Sequence, residues 1–164
     1  MLIRKAEVSA SGPLAPAMEA FRTVISARIS RSAYDAIGLG LLRQRDTIVM
    51  KHDHLLTAAR EKAREMLEVG YHPPEPALLR LSGRSGQLAL MTEARRLAHA
   101  GQFRQEDLEI AEVAAAVLTG GTEADPVRPM TEWDVLKAER DAVLSRAQHP
   151  ETLARMKVAL KGGK

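Results

Sequence analysis

Five aromatic side chains, Phe21, Tyr34, Tyr71, Phe103 and Trp133, have to serve all 164 residues of the chain. A core must therefore be assembled from Leu, Ala, Val, Ile and Met, and sequence rich in Ala and Leu but poor in aromatics favours helix over sheet. Hydrophobic residues supply 45% and charged residues 27%, so wholesale disorder is excluded. The length suits one domain or one helical assembly, and is too short for a cofactor domain beside a substrate domain. With no Cys, thiol nucleophiles, Cys-ligated zinc and iron–sulfur clusters are excluded as well.

The formal charge is +3, with acids and bases interleaved along most of the chain, too small an excess to argue for nucleic acid. The stretch 151–164 carries Arg155, Lys157, Lys161 and Lys164 against Glu151 alone, so this tail equals the whole net charge. No apolar run approaches the ~20 residues of a membrane helix. The start, MLIRKAEVSASGPLAPA, lacks the roughly 7–15-residue apolar core of a secretory signal. The expectation is a cytoplasmic protein with no membrane or nucleic-acid partner.

Apolar periodicity places the helices. After a loose segment, 1–13, a helix is expected over 14–26, with Leu14, Met18, Phe21, Val24 and Ile25 at three- and four-residue steps. A short helix over 32–39 should stop at Gly40, and Thr47 to Met50 has the composition of one short edge strand. Asp53 is placed to cap a helix whose stripe is Leu55, Leu56, Ala59, Ala63, Met66 and Leu67. The run GYHPPEP then reads as a rigid connector, after which Leu78, Leu79 and Leu81 should return to the core.

The second half predicts four further helices. The first spans about 85–100, with Leu90, Met91, Ala94, Leu97 and Ala98 inward; the second, about 105–119, has so little polar surface that it should be the most buried. Thr131 and Asp134 form a capping-box pattern before a helix through Trp133, Leu136, Val143, Leu144 and Ala147. Pro150 opens the last helix, with Leu153, Met156 and Leu160 on one side. Between them, GGTEADPVRP is a long connection of the kind that carries function or tethers packed helices. The expected organisation is a loose 1–13, a first helical part 14–72, a Pro-rich connector 73–82 and a C-terminal helical part 83–164. The fold class is mainly α, six to seven helices with at most one short strand.

Chemistry-bearing motifs are sparse. His52, Asp53 and His54 have H-x-H spacing, but they fall at a helix entrance without a second ligand pair, so no metal role is assigned. Ser82 to Gly86 place a serine between glycines without the strand–elbow–helix setting of a nucleophile, although the following helix start could attract an anion. Neither G-x-G-x-x-G after a strand nor a Walker loop occurs. Arg140, between Leu136 and Val143, is read as snorkelling from the edge of an apolar stripe rather than as a paired buried cation.

The order of segments carries more information than any one of them. The run ARISRSAYDAIGLGLLRQRDTIVMKHDHLLTAAREKAREMLEVGYHPPEP resembles the later part of the crotonase-like domain in bacterial fused 3-hydroxyacyl-CoA dehydrogenase/enoyl-CoA hydratase proteins of fatty-acid β-oxidation. The resemblance rests on Ala33, Ala36, Leu39, Gly40, Leu42, Arg43, Asp46, Ile48, Met50, Asp53 and Leu55, and on the Gly70-Tyr71-x-Pro73-Pro74 connector. It continues through Gly83, Gly86, VLTGG at 117–121, Glu139-Arg140 and the ending MKVALKGGK.

Those fused proteins bind NAD in a Rossmann domain and hydrate enoyl-CoA with two Glu in the earlier crotonase half. The resemblance places none of these segments in this chain, so it implies no catalytic residue, no metal and no cofactor bound here, with NAD met only through a partner chain. What it implies is a helical portion that packs over an acyl-CoA site and contributes to subunit contacts. The expected function is a non-catalytic small subunit or split portion that completes or docks to an acyl-CoA enzyme, in a hetero- or homo-oligomer. If acyl-CoA itself is bound, Arg155, Lys157 and Lys161 are the candidates to face its phosphates, although cations near a helix C-terminus also suit its dipole without a ligand. The alternative is a stand-alone helical scaffold or adaptor that has lost acyl-CoA chemistry.

Overall fold

The computed structural model describes residues 1–2, 5, 12–104, 107–121, 124–125 and 127–162. Seven α-helices among them dominate the chain: α1 (Leu14–Ile25), α2 (Ala33–Gly38), α3 (Leu55–Glu68), α4 (Gly83–His99), α5 (Leu108–Thr119), α6 (Glu132–Ala147) and α7 (Pro150–Gly162). Two strands of two residues each, β1 (Leu78–Leu79) and β2 (Met130–Thr131), pair antiparallel with Leu78 opposite Thr131 and Leu79 opposite Met130. The mainly helical class is as expected. The strand expected at 47–50 does not form there; that segment is irregular, and the short ladder lies instead at 78–79 and 130–131.

The chain divides into two compact units, Met1–Arg28 with Ala77–Lys164, and Ile29–Pro76. This is not the linear grouping expected, because α1 joins the second half rather than sharing a unit with 29–72. The reason is packing: α1 lies against α5 and α4. Its buried face, Pro16, Ala17, Ala20 and Phe21, is narrow at three positions, which lets helix backbones approach. The downstream break coincides with the proline-rich connector, extended over residues 71–77.

In the larger unit α4 and α5 form the central hairpin. Phe21, Leu90, Met91, Ala94, Ala111 and Ala115 make one buried cluster, and Leu2, Ala17, Ala20, Leu79 and Leu81 a second. Of the three leucines expected to return to the core, Leu79 and Leu81 do, while Leu78 points to solvent, as strand alternation requires. At Gly86 the neighbouring side chains leave no room for another: a Cβ there would fall on Ser82 Oγ and lie 3.3 Å from Thr119 Cγ2. Thr119 is fully buried and settles its hydroxyl on the Ala115 carbonyl at 2.8 Å.

Two predicted caps differ in outcome. The Thr131–Asp134 capping box is formed, with the Thr131 amide donating to Asp134 Oδ2 at 2.9 Å and the Asp134 amide to Thr131 Oγ1 at 3.2 Å. Asp53 does not cap α3. It sits within a 3-10 turn, His52–His54, and α3 starts without a side-chain cap. In the smaller unit Ser32 caps α2 by accepting from the Asp35 amide, and Gly40, at φ +72°, closes its C-terminus.

Candidate functional site

The helices of the larger unit do not bury all of their apolar surface. α5, expected to be the most buried helix, has only Ala111, Ala115 and Thr119 fully covered, fewer than α4. Its other flank, with Ile110, Val113 and Val117, faces a groove of about 350 Å³. Val24 of α1, Val143 and Ala147 of α6 and Met156 of α7 complete the walls. The volume lies at the lower end of the ~300–1,000 Å³ range of small-molecule sites, whose walls are typically apolar with a few placed polar groups.

Three side chains supply the polar groups: Glu139 and Arg146 of α6 and Thr152 in the first turn of α7. Glu139 and Arg146 are seven residues apart, about 10 Å along the helix axis, so they mark different ends of the groove. Arg146 Nη1 donates to Glu109 Oε2 at 3.2 Å, but its Nε is buried and has no hydrogen-bond partner among the described residues. His149 Nδ1, three residues on, is in the same condition.

The tail cations are placed differently. Arg155 Nη1 donates to Asp107 Oδ1 at 2.8 Å, and Arg104 Nε donates to the other oxygen of the same carboxylate at 2.7 Å. Hydrogen bonds from Arg104 and then Arg155 hold the Asp107 carboxyl below its usual range, against an opposing effect of burial. Lys157 and Lys161 are exposed and share a face of α7 at i, i+4 spacing. Arg155 lies about 160° round the helix from Lys157. The helix therefore does not bring the three candidates together, and Arg155 is already engaged in pinning α7 to the start of α5.

The other motifs are located plainly. His52, Asp53 and His54 are all exposed on one 3-10 turn, and no group of three or more metal-ligating residues occurs among the described residues. Ser82 is buried, with Oγ unpartnered among the described residues, directly ahead of α4. Arg140 is exposed. The strongest polar cluster of the molecule was not anticipated: Glu93, only 9% exposed, accepts from Arg96 Nε at 2.7 Å and Arg22 Nε at 2.8 Å. The bonds from Arg96 lead, burial opposes them, Arg22 adds to them, and the carboxyl is held at about 2. Arg22 is 71 residues away in sequence, so only its i, i+3 partner Arg96 was signalled by spacing. The cluster ties α1 to α4.

A different surface marks the smaller unit. α3 has no buried residue. Of the stripe expected to face inward, Leu56 and Leu67 are 82% and 80% exposed, and Met66 alone is partly covered. Met50, Val69 and Tyr71 beside it are also exposed. The expected burial of this stripe is therefore corrected: the helix forms, but the smaller unit itself does not cover its apolar face.

A helical assembly with an apolar groove and an uncovered apolar helix defines a class of architecture rather than an activity. The sequence comparison is more specific. The chain is 32% identical over 157 residues to a probable 3-hydroxyacyl-CoA dehydrogenase of Bacillus subtilis (strain 168), a match covering 93% of this chain and 19% of that protein. The chain thus spans about a fifth of the length of this relative. No family model matches the chain, and no solved structure does. No helix among the described residues is long and apolar enough to cross a membrane.

Proposed function

We propose that this chain is a non-catalytic portion of a 3-hydroxyacyl-CoA dehydrogenase/enoyl-CoA hydratase system, and that it works by docking to the polypeptide that carries the catalytic groups. The observation that carries the reading is the 32% identity to the Bacillus protein over 157 residues. It is supported by α3, whose apolar residues are at helical spacing yet uncovered, as an element folded to meet another surface would be. On this reading the partner supplies NAD binding and both reactions, and this chain supplies packing surface beside the acyl-CoA site.

The test is co-purification. The 164-residue chain mixed with the dehydrogenase/hydratase polypeptide from the same organism should co-elute on gel filtration. Changing Leu56 and Leu67 together to Glu should weaken the complex at least tenfold while leaving the helical circular dichroism of the free chain unchanged. A chain that elutes alone at every concentration, with α3 intact, overturns the proposal.

A further inference from the structure

The groove between α1, α5, α6 and α7 is not lined by the tail cations, and nothing above assigns it an occupant. We propose that it binds a single-chain anionic amphiphile, with the apolar tail along α5 and a carboxylate head at Arg146.

Two features point to this occupant, one for its tail and one for its head. The first is the form of the space. At about 30 Å³ for each atom-sized group, 350 Å³ holds about a dozen carbons, and the walls at Val113, Val117, Val143 and Met156 offer such a tail only hydrocarbon. The second is the asymmetry of charge. Glu139 repels an anion from one end, and Arg146 attracts it at the other.

Arg146 has spare capacity. Glu109 engages only Nη1, at 3.2 Å, and is itself 66% exposed, so water screens that pair. The Nε–H is shielded from water and lacks an acceptor among the described residues, a state that costs free energy until one arrives. A carboxylate reaching this edge of the guanidinium, with a small turn of the side chain, meets a planar donor pair of matching geometry. Thr152, in the first turn of α7, adds a hydroxyl to the lining that can donate to a carboxylate.

This inference stands apart from the dehydrogenase kinship, because it uses only the walls and charges of the groove. The test titrates the full chain, labelled with ¹⁵N and methyl ¹³C, with decanoate below its micelle-forming concentration. In parallel it uses decyltrimethylammonium, which has the same tail and the opposite head. Saturable one-to-one binding of decanoate is expected, with shifts confined to Ile110, Val113, Val117, Val143 and Met156, and with the cationic amphiphile at least about tenfold weaker. Val113→Trp should abolish binding by filling the groove, and Arg146→Gln should bring the two amphiphiles to similar affinity, while Arg95→Gln should change neither. Equal affinity for both heads in the unmodified chain, shifts spread elsewhere, or no saturation would each overturn the assignment. The head-group comparison needs no variant, so it decides the matter even if Arg146→Gln unfolds. None of these results bears on co-elution with the dehydrogenase, which separates a failure here from a failure there.

Discussion

α4 and α3 have much the same local credentials and opposite fates. Both are long helices with apolar residues at three- and four-residue steps and charged residues between them. α4 buries Leu90, Met91 and Ala94 against Ala111 and Ala115 of α5 and Phe21 of α1, whereas α3 buries nothing. The difference lies in the neighbours. α5 is almost wholly apolar and needs partners on more than one side, and small residues at Ala94, Ala111 and Ala115 let the helices approach closely. α3 is joined to its neighbours by the polar turn His52–His54 and by a proline-rich segment, and neither offers it such a surface. Periodicity thus tells which face of a helix wants cover, and says nothing of whether the same chain supplies it.

The largest expected contrast comes from truncating matched leucines. Leu90→Ala should destabilise the larger unit by about 2–5 kcal/mol, because it leaves a cavity in a fully buried site. Leu56→Ala should change the free chain by no more than about 0.5 kcal/mol, since its side chain is already in water. Chemical denaturation of both variants checks this, and a comparable loss for Leu56→Ala would mean that α3 is covered in solution.

Gly86→Ala sharpens the same contrast at the backbone. The added Cβ collides with Ser82 and crowds Thr119, and a cost of about 1–3 kcal/mol is expected by the same measurement. Gly70, where a Cβ meets nothing within 4 Å but φ is +69°, should show the effect of backbone conformation alone. About 1–2 kcal/mol is expected there for Gly70→Ala.

The Arg22–Glu93–Arg96 cluster adds a pH-dependent link between α1 and α4. Its carboxyl is held at about 2 in the folded chain, below its ordinary 4.5. The contribution is therefore complete above about pH 4.5 and is lost as the pH falls from there toward 2. Both arginines are more than half exposed, so solvent screens the cluster and Glu93→Gln should cost only about 1–2 kcal/mol at pH 7. Unfolding curves of parent and variant should converge near pH 2, and parallel curves from pH 7 to pH 2 would remove the cluster from the stability of the larger unit.

A modest effect is expected at the α6 cap. Thr131→Ala should cost about 1 kcal/mol through the lost capping box. Amide exchange offers a finer comparison than any single variant: α4 and α5 amides should exchange near the global unfolding limit, and those of α3 by local opening, because a 14-residue helix without burial is marginal in water.

Most helices were legible in the residues. Gly40, Gly70, Gly101 and Gly120 all take positive φ where helix ends were expected, and the Thr131–Asp134 box is formed as its spacing predicts. The edge strand at 47–50 was misread because β-propensity records fit to a half-buried pleated surface, and no neighbouring strand provides one there. The groove left only a partial signal: a helix as apolar as α5 must find cover on two sides, and Ile110, Val113 and Val117 stood on the side that did not. The engagement of Arg155 with Asp107, 48 residues earlier, left no signal at all.

The sequence by itself determined that this protein is helical, where its helices stop, and that its core is aliphatic. These follow from local terms, propensity, glycine at positive φ and capping chemistry, which act within a few residues. The tertiary structure alone decided that α1 belongs with the second half, that Glu93 gathers two arginines, that Arg155 is occupied while Arg146 keeps a free edge, and which apolar faces stay open. Those outcomes depend on which surfaces meet, and complementarity between segments dozens of residues apart is a property of the folded chain rather than of any window within it.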